Sequence, residues 1–365
     1  MTTVRLERAQ RVERHLVLAL ALLASIATAR AEDAAPVFPA GWKEPQVAVS
    51  SQHGVFVVAA KDGVIAVASS SDGKTFGEPV RVAAVDKLMC GMRRGPRIAA
   101  SGKSVVVTAI SAETGDLAAW RSTDGGVTWA PPVRVNGADK SAREGLDGLA
   151  ASAKDDFAVV WLDDRKGKGK EVWVATSRDG GATWTERFVY ASPDGTVCEC
   201  CHPSAAWNAK GELAVMFRNA LDGSRDLYMT VSKDLGKTWT GAQKLGDGSW
   251  KAKMCPMDGG ALAGGATEFV SVWRREGDVF AVLPGRTEQR LASGKQPWVA
   301  QTKDAIHAVW VEGGDLVASS GKKKTRIAQG ATDPCIAGSI AGDGPVVVVW
   351  QSDDGVHAKT LVGKK

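Results

Sequence analysis

Short apolar stretches recur along most of the chain, separated by polar segments rich in glycine. Five of these stretches end in an aromatic residue, at Trp161, Phe217, Trp273, Trp310 and Trp350. Short apolar runs bounded by turn-forming residues are typical of β-strands, whereas a helix needs a longer segment with a period of 3.6 residues. The composition, with 41 glycines and 13 tryptophans among 365 residues, agrees with this interpretation. The pattern predicts an all-β protein made of many short strands.

Prolines begin a second set of short apolar segments, at Pro45, Pro96, Pro203, Pro297 and Pro334. Proline is tolerated at the first residue of a strand, because the amide hydrogen that it lacks is not needed there. Together with the aromatic-ending stretches, these prolines divide the chain into seven units that begin near residues 45, 96, 146, 203, 258, 297 and 334. We expect each unit to contain an inner, a second, a third and an outer strand, with a turn before the outer one.

A third repeated pattern, S-x-D-x-G-x-T-W, occupies residues 122–129, 177–184 and 232–239, and a shorter version occupies residues 70–76. The aspartates of the four copies are 52, 55 and 55 residues apart, an interval that indicates one supersecondary unit per repeat. Asp and Ser side chains bond the backbone amides of a tight turn, and glycine supplies a positive φ. The motif is therefore a structural turn, and we assign its aspartates no catalytic role.

The repeated motif resembles the Asp-box of the sialidase-type β-propellers, in which the box joins the third and fourth strands of a blade. The resemblance implies an all-β propeller, and it covers residues 32–365 as a single domain. The seven units predict seven blades, with six as the alternative because sialidases have six. The seventh unit has three strands of its own, so we expect the segment 36–43 to supply the fourth strand and close the ring.

The first 31 residues have the three parts of an export signal. Four arginines lie within residues 5–14, residues 16–26 are apolar, and residues 29–31 form a small-residue cleavage site. The apolar part is too short to span a bilayer. We expect a cleaved signal peptide over residues 1–31 and a periplasmic or secreted protein, with a retained anchor as the alternative.

The charge of the exported part is close to neutral. The full chain carries a formal charge of +5, and residues 1–31 contain five arginines and two glutamates, which leaves +2 for the rest. Without a basic stripe, this charge argues against a nucleic-acid partner. No later segment is apolar enough to span a membrane. We expect the partner to be a metal ion or a small anionic ligand, with a protein partner as a further alternative.

All six cysteines follow the signal, and five of them lie in segments that lead into predicted inner strands. In a propeller such segments open on one face at the axis. We expect all six thiols to converge at this axial mouth, with none in an Asp-box turn or in the middle of a strand. The six residues are Cys90, Cys198, Cys200, Cys201, Cys255 and Cys335.

Two interpretations of the cysteines remain open. An even number of cysteines in an exported protein favours disulfides, although neighbouring Cys200 and Cys201 are placed poorly for them. Met-Cys-x-Met strings at residues 89–92 and 254–257 add thioethers to the thiols, and such sulfur ligands suit Cu(I), whereas cysteine with histidine suits zinc. The predicted ligands of a copper or zinc site are the six cysteines, with His202, Met92 and Met257 as lesser candidates.

The sialidase resemblance also implies an enzymatic alternative. Sialidases grip a sugar carboxylate with three arginines, and the string GPRIA resembles their R-I-P motif, so Arg97 is the matching arginine. Arg218 and Arg274 follow second-strand aromatics and complete the predicted anion site. The nucleophilic tyrosine of the family has no counterpart at the mouth, because Tyr190 is expected in an outer strand and Tyr228 in a third strand. The alternative function is a sialidase-like exo-glycosidase that acts on an acidic sugar, with its catalytic residues unassigned.

Overall fold

Seven four-stranded antiparallel sheets form the structure and are arranged as the blades of a propeller. The structure is a computed structural model that describes residues 35–50, 52, 54–321, 323–339 and 344–363. The predicted export signal at residues 1–31 lies outside the described residues. Within the described ranges, no helix is long and apolar enough to cross a membrane. The predictions of an all-β fold and of seven blades are confirmed.

Each blade is built from consecutive strands that run from the axis outwards. Strand β1 (Phe38–Pro39) precedes the first blade. Blade 1 consists of β2 (Lys43–Ser50), β3 (Gly54–Lys61), β4 (Val64–Ser70) and β5 (Val80–Ala84). Blade 2 consists of β6 (Arg97–Ser101), β7 (Ser104–Ile110), β8 (Leu117–Ser122) and β9 (Val133–Arg134). Blade 3 consists of β10 (Asp147–Ala151), β11 (Phe157–Asp163), β12 (Glu171–Ser177) and β13 (Thr185–Ala191).

The remaining blades follow the same order. Blade 4 consists of β14 (Ser204–Trp207), β15 (Leu213–Arg218), β16 (Leu227–Ser232) and β17 (Gln243–Lys244). Blade 5 consists of β18 (Ala261–Gly264), β19 (Phe269–Arg275), β20 (Asp278–Val282) and β21 (Glu288–Ser293). Blade 6 consists of β22 (Lys295–Gln301), β23 (Ile306–Glu312), β24 (Asp315–Ser320) and β25 (Lys323–Gln329). Blade 7 contains β26 (Thr332–Ala337), β27 (Val346–Ser352) and β28 (Gly355–Val362).

The ring is closed by the N-terminal strand, as predicted. Strand β1 is the outermost strand of blade 7, where Phe38 pairs with Val356 and Pro39 pairs with Gly355. Phe38 is buried in the core between blades 7 and 1. At Gly355 the φ angle is +146°, and an added Cβ would lie 2.1 Å from the Phe38 carbonyl oxygen, so only glycine allows this close approach. One blade thus unites both ends of the described chain, which removes an exposed sheet edge.

The prolines that mark the units occupy two kinds of position. In blades 2 and 4 the inner strand begins directly after Pro96 and Pro203. In blades 1, 6 and 7 the inner strand begins two residues earlier, and Pro45, Pro297 and Pro334 lie at irregularities of the strand pairing. The prediction that each proline opens its strand is wrong for these three blades. A bulge leaves a residue unpaired, so the missing amide hydrogen is tolerated there as well.

The blades are held together by apolar cores between neighbouring sheets. Between blades 3 and 4, for example, Val160 and Val174 pack with Trp207, Val215 and Phe217, all buried. Burial of side chains of this size stabilises the fold by about 1.5–3 kcal/mol each. The inner strands contact one another in sequence around the axis, and the last contacts the first.

The four Asp-box turns join the third and fourth strands of blades 1 to 4, as the resemblance implied. In the second box, Ser122 Oγ accepts a hydrogen bond from Gly126 N (2.8 Å) and donates one to Asp124 Oδ1 (2.7 Å). The same Asp124 oxygen accepts from the amides of Val127 and Thr128 at 3.1 and 3.0 Å. The Thr128 hydroxyl also donates a hydrogen bond to Asp124. This bond first, and then the others, lower the pKa of Asp124 to about 2. The aspartate is therefore engaged in its own turn.

In the first and third boxes, a glycine also sets the spacing between blades. Gly181 of the third box has a φ of +87°, and an added Cβ would lie 2.6 Å from Val106 Cγ2 in blade 2. At Gly73 of the first box, the same atom would lie 2.9 Å from Val347 Cγ2 in blade 7. These two box turns therefore pack against the preceding blade through a position where only glycine fits.

Candidate functional site

The loops that lead into the inner strands open on one face of the propeller, because every blade uses the same strand order. We call the region formed by loops 85–96, 192–203 and 245–260 the axial mouth. Five of the six cysteines lie in these three loops. The Asp-box turns belong to the opposite ends of the strands, so the mouth is separate from the repeated turns.

Three cysteines meet in the loop before blade 4. The sulfur of Cys198 lies 3.6 Å from that of Cys200 and 3.7 Å from that of Cys201, and all three sulfurs lie within 4.8 Å of one another. Cys198 and Cys201 are buried, and Cys200 is half-buried. We call these three residues the thiol cluster. Its half-buried member gives it one side that is open to solvent.

The backbone before the cluster fixes its position. Val197 pairs with Asn219 in an isolated bridge, and the Cys198 amide donates a hydrogen bond to the Arg218 carbonyl at 2.9 Å. These contacts attach the start of the cluster to the end of β15. Residues 199 and 200 then form a turn, which brings the following thiols back towards the first.

The three thiols do not titrate alike. The hydrogen bonds that Cys198 shares with Cys200 and then with Cys201 lower the pKa of Cys198, and the positive charge of Arg225 acts in the same direction. The hydrogen bond to Cys198 raises the pKa of Cys200, and burial raises the pKa of Cys201. The three thiols therefore share their protons through these contacts and do not ionise independently. Metal binding would release the remaining protons, as it does at thiolate sites generally.

The sulfur spacing matches a metal site. An ion that binds thiolates at about 2.3 Å holds their sulfurs about 3.8 Å apart in tetrahedral geometry and about 4.0 Å apart in trigonal geometry. The observed separations of 3.6 and 3.7 Å are close to these values. No histidine nitrogen or carboxylate oxygen joins the three sulfurs among the described residues. The cluster therefore offers three sulfur ligands.

The other predicted sulfur ligands lie outside the cluster. Cys90 and Cys255 are exposed, the Met92 side chain is 68% exposed and Met257 is half-buried. Cys335 is buried within β26, where its thiol donates a hydrogen bond to Gln46 Oε1 at 3.5 Å. The prediction that no cysteine lies in mid-strand is wrong at this residue, because β26 begins before its proline. All six cysteines are described, and none of them forms a disulfide.

His202 follows the thiol cluster directly but faces a different environment. Its Nε2 lies 3.0 Å from the Gly260 carbonyl oxygen, and its ring stacks on Trp298 with centroids 5.7 Å apart. Burial, and then the positive charges of Arg93 and Arg97, lower the pKa of His202 well below its usual value. The imidazole is therefore neutral and lines the axis of the propeller. Its role as a metal ligand stays a prediction.

A cavity of about 140 Å³ lies on the axis below the mouth. Its lining includes Arg97, Asp147, His202, Trp298 and Cys335, each from a different blade. Within the described residues, one carboxylate oxygen of Asp147 and Nδ1 of His202 have no hydrogen-bond partner. Burial raises the pKa of Asp147. Polar groups buried in this way generally bind ordered water or a ligand.

Two of the three arginines proposed as an anion clamp are buried and bonded to backbone carbonyls. Arg97 Nε donates to the Asp147 carbonyl at 3.0 Å. Arg218 donates to the carbonyls of Arg225, Asp258 and Arg274 at 2.5, 2.8 and 3.0 Å. These bonds hold the mouth loops together.

The third proposed arginine is more exposed and also has a backbone partner. Arg274 Nε donates to the Glu276 carbonyl at 2.5 Å. The guanidinium groups of Arg218 and Arg274 both lie over the Trp250 ring, 5.4 and 5.7 Å from its centroid. Arg97 instead lines the axial cavity. Binding of an anion by these three arginines stays a prediction.

Sequence reasoning missed two acidic residues at the mouth, Glu44 and Asp333. Glu44 is buried and accepts a hydrogen bond from the Arg93 amide at 3.1 Å, and Arg93 Nη1 lies 3.8 Å from Asp333. Burial, and then the negative charge of Asp333, raise the pKa of Glu44 to about 7. Glu44 and Asp333 each precede a bulge proline and have positive φ angles of 53° and 48°. The sequence signal for these residues was the position directly before the proline that recurs at the start of the units.

The predicted positions of the tyrosines are confirmed. Tyr190 lies in β13, the outer strand of blade 3, and Tyr228 lies in β16, the third strand of blade 4. The Tyr190 hydroxyl accepts a hydrogen bond from Asn219 at 2.9 Å. The nucleophilic tyrosine of the sialidases therefore has no counterpart at the axial mouth.

Comparisons with known proteins agree with this architecture. A protein from Dyadobacter fermentans, described as having unknown function, is 13% identical with a TM-score of 0.54, and the match covers 91% of this chain and 98% of that one. A Hadza microbial sialidase is 16% identical with a TM-score of 0.54, and the match covers 89% of this chain and 68% of that one. At these identities the likeness concerns the fold. No curated protein sequence matches the chain.

A family model locates the same framework in the sequence. The model described as a BNR repeat-like domain matches residues 40–262, which span blades 1 to 4 and enter β18 of blade 5. The matched part contains all four Asp-box turns and the thiol cluster. The chain belongs to the BNR repeat-like family and shares the β-propeller fold of the microbial sialidase.

Proposed function

We propose that this protein is an exported binding protein whose thiol cluster holds a soft metal ion, Cu(I). The observation that carries the proposal is the spacing of the three sulfurs, which suits thiolates bound to one ion: the Cys198 sulfur lies 3.6 and 3.7 Å from the other two, and all three lie within 4.8 Å of one another. The propeller supplies a rigid frame, and the loop before blade 4 supplies all three ligands. The proposed role is metal trafficking, sensing or protection in the cell envelope.

Cu(I) fits the cluster better than zinc does. Structural zinc sites are closed by four ligands, whereas within the described residues no histidine nitrogen or carboxylate oxygen joins the three sulfurs. Soft thiolate ligands select Cu(I), which tolerates low coordination. Three thiolates and one Cu(I) leave two net negative charges. The positive charges of Arg225 and Arg218 act on Cys198 and Cys201 and offset this excess.

Export is part of the proposal and rests on residues 1–31. An exported thiol cluster meets oxidising conditions, under which free cysteines form disulfides. A bound metal ion would protect the thiols from this reaction. Disulfides in a plain protein-interaction propeller are the alternative outcome, and a thiol count of the protein purified under oxygen-free conditions separates the two.

A Cu(I) titration tests the proposal. Oxygen-free wild-type protein should take one Cu(I) per chain from a coloured Cu(I)–bicinchoninate complex. The Cys198→Ser/Cys201→Ser variant should lose this uptake. Cys335→Ser is the matched control, because it also buries a hydroxyl in place of a thiol but lies outside the cluster. Equal uptake by the double variant and the wild type would contradict the proposal.

The second candidate function is a sialidase-like exo-glycosidase. It is favoured by the shared fold and by Arg97, which lines the axial cavity beside Asp147. A fluorogenic sialoside assay tests it. If the wild type hydrolyses the sialoside and Arg97→Lys does not, the glycosidase becomes the main function in place of metal binding. If the wild type binds Cu(I) but hydrolyses no sialoside, the metal proposal stands.

A further inference from the structure

The two Met-Cys-x-Met strings display soft sulfur donors on the outside of the axial mouth. We call residues 89–92 the first Met-Cys string and residues 254–257 the second. Met254 is 70% exposed and Met92 is 68% exposed, and they are the two most exposed large apolar side chains in the described chain. Cys90 and Cys255 are exposed as well. Thioethers and thiols bind soft metal ions, so these exposed side chains are able to meet an ion before the buried cluster does.

The second Met-Cys string is anchored to the same elements that hold the thiol cluster. The Arg218 carbonyl accepts a hydrogen bond from the Cys198 amide at 2.9 Å, and the Arg218 guanidinium donates to the Asp258 carbonyl at 2.8 Å. On the other side of the string, the Arg225 amide donates to the Trp250 carbonyl at 2.7 Å. The string therefore lies between two anchor points, Trp250 and Asp258, that both bond to residues beside the cluster.

The first Met-Cys string has the same chemistry but different neighbours. The Met89 amide donates to the Ile110 carbonyl at 3.0 Å, and the charges that act on Cys90 are those of Glu44, Lys43 and Arg97. This string leads into blade 2, whereas the thiol cluster leads into blade 4 and the second string into neighbouring blade 5. The chain thus contains a natural control with the same residue types.

We propose that the second Met-Cys string is the loading site for the thiol cluster. It would capture Cu(I) with the thiolate of Cys255 and the thioether of Met254 and pass the ion to the cluster through half-buried Cys200. This inference rests on the proposed function, because it assigns a loading step to the same metal site.

The transfer is a ligand exchange. Bonds from copper to Cys200, then to Cys198 and Cys201, form from sulfur lone pairs as the bonds to Cys255 and Met254 break. Thiol protons of the cluster pass to water, and Cys255 regains a proton. Copper stays Cu(I) throughout, so no oxidant or reductant takes part.

Loading kinetics test the inference. Oxygen-free protein is mixed with Cu(I)–bicinchoninate in a stopped-flow instrument, and loss of the chelate colour is followed to completion. The test variant is Met254→Leu/Cys255→Ser, and the control is Met92→Leu/Cys90→Ser. Thermal unfolding of each variant verifies that these exposed substitutions leave the fold intact.

All three proteins should reach the same final occupancy of one Cu(I), but the test variant should load at least about tenfold more slowly, because it lacks a local capture step. The control should load at the wild-type rate. Equal rates for all three proteins would overturn the loading site and leave the metal site standing. A wild type that takes up no Cu(I) would overturn the proposed function itself, and this inference with it.

Discussion

The Asp-box turns and the axial-mouth loops join strands of the same sheets but treat their charged side chains in opposite ways. In the second box, Ser122 and Asp124 bond the amides of their own turn, and the same pattern recurs in the third box around Asp179. At the mouth, by contrast, Asp258 and Arg218 each leave a buried polar atom without a partner among the described residues. Charged side chains such as Arg218 and thiol groups such as that of Cys198 are also buried at the mouth.

The difference indicates which parts of the chain serve the fold. A turn that satisfies its hydrogen bonds locally can be repeated without change, and it stabilises any blade that contains it. Buried charged groups with an unpartnered atom cost free energy, so a fold keeps them where they do other work. Substitutions on the two faces should therefore differ in kind. Mouth variants should change ligand binding and pH dependence, and box variants should change stability alone.

The largest expected effect is on metal affinity at the mouth. Cys200→Ser removes the half-buried ligand of the thiol cluster and leaves two buried thiols. The affinity for Cu(I) should fall by more than about 100-fold, because loss of a ligand exceeds the 10–100-fold cost of losing an outer partner. Competition with bicinchoninate measures the change. An affinity within threefold of the wild type would show that the mouth does not hold copper through this cluster.

The second expected effect concerns pH. The pKa of Glu44 is raised to about 7, so the folded protein binds this proton more tightly than the unfolded chain does. The free energy of unfolding should therefore fall by about 3 kcal/mol as the pH rises from about 4.5 to 7. The carboxylate of Asp333 and the cations Arg93 and Arg97 face the same group.

Glu44→Gln should flatten this pH dependence, since the amide does not ionise. Urea unfolding at pH 5 and pH 8 measures it, and Glu78→Gln, at an exposed residue of blade 1, serves as the control. A Glu44→Gln protein with the same pH dependence as the wild type would show that Glu44 is not buried as described.

A smaller effect is expected on the box face. Gly181→Ala places a Cβ 2.6 Å from Val106 at a φ of +87°, so it should lower the free energy of unfolding by about 2 kcal/mol. Gly125→Ala is the matched control, because its φ is +78° but no atom lies within 4 Å of the added carbon. Urea unfolding of both variants separates the steric cost from the backbone cost. Equal losses would contradict the close packing of the box on the preceding blade.

The smallest effect is expected from a single box side chain. Ser122→Ala removes the acceptor of the Gly126 amide, which should cost about 1 kcal/mol. Copper uptake should stay unchanged, since the substitution lies on the opposite face from the thiol cluster. A variant of normal stability with weakened copper binding would reverse the division of roles between the two faces.

The blade count and the ring closure could be predicted because they depend on periodic marks. The Asp-boxes recur at intervals of 52 or 55 residues, and five second strands end in an aromatic residue. These local marks were enough to recognise the units in the sequence. In this division into units, the segment before Pro45 had no other sheet in which to pair. Its pairing with β28 followed from the need to close the sheet edge.

The composition of the site could be predicted only in part. Cys198, Cys200 and Cys201 meet because a single turn brings them together, which their spacing already favours. The paths of loops 85–96 and 245–260 depend on hydrogen bonds such as those of Arg218, and no local pattern in the sequence determines these bonds. The place of Cys335 within β26 depends on a bulge that moves the start of the strand.

X-ray absorption at the copper edge tests the central claim most directly. Wild-type protein loaded with one equivalent of Cu(I) without oxygen should show three sulfur neighbours at about 2.3 Å and no nitrogen or oxygen neighbour. The count should fall in Cys200→Ser and stay at three in Cys335→Ser. Nitrogen or oxygen ligands in the wild type, or a spectrum that is the same in all three proteins, would contradict a copper site made of these three thiols.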